Sequence, residues 1–186
     1  AGWVCPQSGQ DLRLHEVVEE ARKIQPWLIV ADRTVGGIYE NFITPEQTIP
    51  EYAMDIPWES CITLGTSFSF KYDDQYKSLR EIIHLLIEVV AKGGNLALNI
   101  APQPDGRLPR PGVERIKGLG KWLNVYGEAI YGTRICHPYY MDKYAFTQKE
   151  DTVYCFYMYD ENEKSKKEIQ IPYDGKADDV ILVGSG

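Results

Sequence analysis

The chain has 186 residues, 44% of them hydrophobic and 12% aromatic, enough apolar material for the core of one domain or one and a fraction. Its net charge of -7 at pH 7 produces a field that repels phosphate backbones and anionic lipid, so nucleic acid and membrane surfaces are excluded as expected partners. No apolar run approaches the roughly 18 residues of a membrane span.

In chain order, Ala1-Gly2-Trp3 carries neither an initiator Met nor the regions of a signal peptide, which suggests a processed or truncated chain. Gln10 or Asp11 can cap a helix in which Leu14, Val17, Val18, Ala21 and Ile24 recur at helical spacing, closed by Pro26. The continuous apolar run Leu28 to Ala31 reads as a strand buried on both faces of a parallel sheet, with Asp32 and Arg33 at its carboxyl end. The segment from Thr34 to Trp58, punctuated by glycines and prolines, is too long for a plain connection. Long loops at strand ends are where active sites are built.

The stretch Ile56 to Phe70 carries one charge, Glu59, immediately after Trp58. Pro57 holds Ile56 out of the helical region, and the following run predicts a strand over 63–70, with Glu59 in the loop that enters it. An aromatic wall and few nearby cations disfavour the ionised form of a carboxyl group, the environment of a general acid. The bland alternative is a surface glutamate beside a buried tryptophan.

Leu79, Ile82, Ile83, Leu86, Ile87 and Val90 then fall on one face of the strongest helix, with Gly93 as its carboxyl cap. Asn95 to Ile100 reads as another buried strand, Ala101 to Gly106 as a turn, and Pro111 starts a further helix with Val113, Ile116, Leu119, Trp122 and Leu123. Past Tyr131 the period changes. Val153 to Tyr159 alternates as a strand, Asp160 to Lys164 turns, Glu168 to Ile171 pairs back, and Val180 to Val183 adds one more strand. Cys5, Cys61, Cys136 and Cys155 lack metal-ligand spacing and read as buried thiols.

Residues 1–133 therefore read as α/β, and 134–186 as the start of an antiparallel β domain. A barrel of eight parallel strands takes about 250 residues, and the three strands expected here would leave open edges. The expected arrangement is one part of a larger protein.

Asp32-Arg33-Thr34, Tyr39-Glu40-Asn41, Thr44-Pro45-Glu46, Pro57-Trp58-Glu59 followed by Gly65-Thr66-Ser67-Phe68-Ser69, and Gly94 to Pro102 with Asp105-Gly106 together resemble glycoside hydrolase family 29, the α-L-fucosidases. The resemblance runs from Trp3 to about Thr133, and more weakly into the later β region. It implies a partial (β/α)8, TIM-like barrel over residues 1–133 and a β-sandwich beginning at 134, joined to the remainder of the parent chain. It also implies a retaining enzyme that removes terminal α-L-fucose from a fucosylated oligosaccharide or glycoconjugate with no metal or cofactor. Retention needs two carboxyl groups about 5 to 5.5 Å apart, one attacking the anomeric carbon and one protonating the leaving oxygen.

Aligning on Gly2-Trp3 places the family's attacking aspartate immediately before Ala1, so this chain alone is expected to be inactive. The resemblance makes Glu59 the catalytic acid/base and Glu46 the runner-up, although Thr44-Pro45-Glu46 also reads as the first turn of a helix. Arg33 either binds the sugar or pairs with Asp32, Glu40 or Glu46. Trp58 and Trp3 either stack on the sugar or pack beneath the loop, packing being favoured for both. His15 and His84 read as structural, and His137 as part of the connection between the two regions. Family habit implies an exported (periplasmic or extracellular) or lysosomal protein. The rival readings are a non-catalytic sugar-binding module and a retaining glycosidase of different sugar specificity.

Overall fold

The structure, a computed structural model, describes residues 13–31, 39–164 and 166–184. Its elements run α1 (Leu14–Ile24), β1 (Glu59–Thr63), α2 (Leu79–Ala91), β2 (Asn95–Asn99), α3 (Arg110–Tyr126), then β3 (Arg134–Met141), β4 (Tyr144–Lys149) and β5 (Thr152–Tyr157). The fold class is α/β: β1 and β2 form a parallel pair, and β3, β4 and β5 an antiparallel sheet in that order.

α2 shows why its sequence must be a helix here. Ser78 and Glu81 form a reciprocal capping box, with the Ser78 amide donating to Glu81 Oε2 at 2.6 Å and the Glu81 amide to Ser78 Oγ at 3.2 Å, satisfying two amides that the first turn leaves without partners. At the other end Gly93 adopts φ 82°, the left-handed conformation that closes a helix without a Cβ clash. Ile82, Ile87, Val89 and Ala91 are buried. The core cluster of Ile87, Ala91, Ile130, Ala145 and Met158, with Leu86, Trp122, Tyr140 and Phe156 against it, crosses from the helices into the antiparallel sheet.

α3 begins as expected with Pro111 in its first turn. The predicted strand over 63–70 lies earlier, at Glu59–Thr63, and Leu64 to Phe70 is a bending loop held by Asp74. The run Leu28 to Ala31 is not a strand buried on two faces. It touches its neighbour through one parallel bridge, Ala31 to Phe42, and Ile29 is 69% exposed.

The antiparallel region also departs from expectation. β3 and β4 occupy residues assigned to no strand, β5 ends at Tyr157, and 168–171 and 180–183 take no strand conformation. The two tight turns use Asp142 and Glu150 at φ 51° and 53° without a glycine, so the usual sequence signal of a two-residue hairpin is missing. His137 lies in β3 rather than in a connection. The buried-thiol reading holds for Cys136, whereas Cys61 and Cys155 are half-buried and Cys5 lies outside the described residues.

Candidate active site

The long loop before β1 supplies a third parallel segment. Ile43 bridges Trp58 and Glu46 bridges Cys61, with Glu59 N–H donating to Ile43 O at 3.0 Å, Cys61 N–H to Pro45 O at 3.0 Å and Gln47 N–H to Cys61 O at 2.9 Å. β1 in turn pairs with β2 from Glu59–Asn95 to Thr63–Asn99. Directly paired residues in neighbouring strands share a face, and successive residues alternate faces.

Trp58, Ser60, Ile62 and Leu64 therefore share one face, and all are buried. Trp58 is 1% exposed and its ring lies over Gly94, where an added Cβ would come within 2.4 Å of the indole. The opposite face carries Glu59 with Asn95, then Glu46 with Cys61 and Ala97, then Thr63 with Asn99. It bears two carboxylates and two asparagines, and both glutamates are exposed.

The two ends of this face differ. Glu59 is the first residue of β1, at the amino ends of the strands. Glu46 stands level with Cys61, two residues further on, which is about 7 Å nearer the carboxyl ends at ~3.3 Å per residue. In parallel α/β folds the carboxyl ends and the loops beyond them form the ligand site. Here those loops enclose a cleft of ≈ 780 Å³ that includes Gln47, Thr63, Phe68, Tyr76 and Lys77, a size that takes a small ligand.

The cleft wall is tightly specified. Gln47 Nε2 donates to Thr63 Oγ1 at 3.2 Å, Thr63 Oγ1 to Gly65 O at 2.8 Å, and Lys77 Nζ to Thr63 O at 2.7 Å. Asp74 accepts from the Thr66 amide at 2.9 Å and the Thr66 hydroxyl at 2.6 Å, while Lys71 Nζ donates to Thr66 Oγ1 at 3.0 Å. Gly65 makes this closure possible, since a Cβ there would lie 1.9 Å from Asp74 Oδ2. Phe68, 40% exposed, is the apolar ring of this otherwise polar wall.

The Thr66 hydroxyl hydrogen bond, ahead of the backbone amides and Lys71, holds the Asp74 carboxyl below its ordinary 3.8. A depressed carboxyl stabilises the folded wall fully above its unfolded pKa and loses that contribution as pH falls through the native value. The Thr66 amide resonance, followed by NMR, is therefore expected to hold steady at pH 5 and to shift only below about pH 4, where Asp74→Asn abolishes the transition.

The residues singled out from the sequence fall into three groups. Arg33 and Trp3 lie outside the described residues. Trp58 is 1% exposed and its ring packs against Gly94. Glu59 and Glu46 do share a face, but Glu59 stays exposed although Trp27, Phe42 and Trp58 line the cleft beside it. Strand alternation sends Trp58 to the opposite side and leaves Glu59 exposed at the amino ends, beside a second cleft with Arg22, Trp27, Pro57 and Asn95.

Glu46 is not in the first turn of a helix but in an extended bridge. The sequence reading did not single out Gln47, Thr63 and Phe68, which line the cleft at the carboxyl ends. Their signal was the Gly65 to Ser69 run, which breaks a strand pattern rather than continuing it.

Known proteins are similar to this chain in sequence and fold. The family described as Alpha-L-fucosidase matches residues 1–128. Rat plasma alpha-L-fucosidase is 39% identical over 103 residues, covering 53% of this chain and 22% of its own length, and mouse tissue alpha-L-fucosidase is 33% identical over 131 residues, covering 67% and 28%. The chain thus spans well under a third of the length of these relatives. Among solved structures, alpha-L-fucosidase isoenzyme 1 from Paenibacillus thiaminolyticus superposes with a TM-score of 0.70 at 28% identity, over 74% of this chain and 36% of that one. The Thermotoga maritima alpha-fucosidase in complex with fucose gives 0.64 at 30% identity, over 77% and 34%.

Proposed function

The chain belongs to the alpha-L-fucosidase family, and we propose that the whole protein carrying it is a retaining exo-α-L-fucosidase in which this segment forms one arc of a (β/α)8 barrel. The parallel register of the three segments, from 42–46 through β1 to β2, with α2 and α3 following β1 and β2 in the chain, supports the arc. The relatives' names supply the substrate, terminal α-L-fucose on a glycan.

The single observation that carries the mechanism is the position of Glu46, on the open polar face and next in sequence to Gln47 of the carboxyl-end cleft. Glu46 is the acid/base. It protonates the glycosidic oxygen as the attacking carboxylate, an aspartate aligned just ahead of Ala1 by the resemblance, bonds to the anomeric carbon. It then takes a proton from the water that releases fucose with retained configuration. Glu59, the residue the sequence favours for this role, is the competing candidate. Phe68 offers the apolar surface that a 6-deoxy sugar's methyl group seeks, while the exposed Gln47 presents a polar group to its hydroxyls.

A panel of aryl glycosides tests the substrate. The whole protein is expected to turn over the α-L-fucoside and to reject the α-L-galactoside, which places a hydroxymethyl group against Phe68. No release from the fucoside, or equal release from both, overturns the reading.

A further inference from the structure

Lys92 stands outside the face just described, yet it is buried: its side chain is 6% exposed. As the residue after the last turn of α2 it places a cation at the negative end of the helix dipole, which accounts for a lysine there but not for its burial. Its Nζ donates to Glu88 Oε1 at 2.6 Å and to the carbonyl of Pro50 at 3.0 Å, and lies 4.9 Å from the centre of the Tyr140 ring on β3. One buried ammonium thus joins α2, the loop before β1 and the antiparallel sheet.

The loop end of this junction leads straight to the candidate acid. Glu46 and Gln47 are tied to β1 by the Cys61 and Thr63 bonds, and Ser60 Oγ donates to Thr48 O at 2.7 Å. Ile49 precedes a proline and is driven extended, and Pro50 has a fixed φ, so the chain from Thr48 to the Pro50 carbonyl is stiff. Gln47 sits at φ 57°, a left-handed conformation that a glutamine keeps only when its surroundings hold it. Holding Pro50 therefore holds the far side of that bend.

We propose that Lys92 is a positioning residue for Glu46: gripped by Glu88 and Tyr140, it fixes the Pro50 carbonyl and so the bend that aims the acid, which makes the antiparallel sheet a working part of the active site. The proposal rests on Glu46 being the acid. A misdirected acid harms substrates that need protonation most, because an activated aryl leaving group departs without much help.

The test is Lys92→Met in the whole protein, read on one fucoside with an activated aryl leaving group and one with an alkyl leaving group, alongside hydrogen exchange at the Gln47 amide. The expected result is a loss in kcat on the alkyl fucoside about 10-fold greater than on the aryl fucoside, little change in KM, faster Gln47 exchange, and recovery in Lys92→Arg. A parallel fall on both substrates, tracking loss of folded protein, marks a purely structural lysine and overturns the proposal. Tyr140→Leu leaves the ion pair intact and guards against a misfolded Lys92→Met; an unchanged substrate ratio there is equally fatal. If Glu46 is not the acid, Gln47 exchange still quickens in Lys92→Met while Glu46→Gln keeps its turnover, so the two failures are distinct.

Discussion

Glu46→Gln in the whole protein is expected to lower kcat on alkyl α-L-fucosides by about 10² to 10⁴-fold, the usual worth of a positioned proton donor. On an activated aryl fucoside the first step needs little protonation, so the loss there is expected mainly in the second step, where water must be deprotonated. The limb of the pH profile that reports the acid should vanish with the carboxyl group. Glu59→Gln is the control that gives the result its meaning. The two glutamates share an exposed face and differ in level by two residues, so loss of general acidity in Glu46→Gln alone identifies the group at the carboxyl ends. If instead Glu59→Gln shows the leaving-group dependence and Glu46→Gln does not, the register argument fails and the acid sits at the amino ends.

The second large effect is on stability. Trp58→Ala is expected to cost about 3 to 5 kcal/mol, the range for deleting a buried indole, measured as the shift in a urea or thermal transition. Trp58 is the largest fully buried side chain among the described residues, 1% exposed, and its ring fills the space over Gly94. Among the described residues its Nε1 has no hydrogen-bond partner, so Trp58→Phe removes no described hydrogen bond while losing some volume, and is expected to cost less than about 2 kcal/mol. KM for the fucoside should be unchanged in Trp58→Phe. A large rise in KM would mean that the ring touches the sugar after all.

The helices were legible because α2 and α3 carry an apolar stripe at helical spacing and recognisable ends, Pro111 at one and Gly93 at the other. β2 was legible as an apolar run after a glycine pair. β1 was displaced by several residues because Thr, Ser, Phe and Gly in 63–70 match a strand by composition, while the bend at Gly65 depends on Asp74, nine residues away in sequence and in contact in space.

The environment of Glu59 was misjudged for a related reason. Adjacency to Trp58 in sequence places the two on opposite faces of an extended chain, so the apolar neighbour that suggested a desolvated acid is buried while Glu59 stays exposed. The site at the carboxyl ends was hidden because its members come from separate turns, Gln47 from a bridge in a loop and Phe68 from what resembled a strand. Only the pairing of Glu46 with Cys61 brings them to one end.

The burial of α2 has a thermodynamic meaning. Ile87 and Ala91 are covered by Ala145 and Met158 across the point where helices give way to hairpins, and Thr147 Oγ1 reaches back 2.7 Å to the carbonyl of Ala129. The change of architecture near Thr133 is thus a boundary of topology and not of cooperativity. Severing the chain there would strip the cover from the helix that follows the strand carrying Glu59. The two halves are therefore expected to melt in one transition, and two separate calorimetric transitions would contradict this.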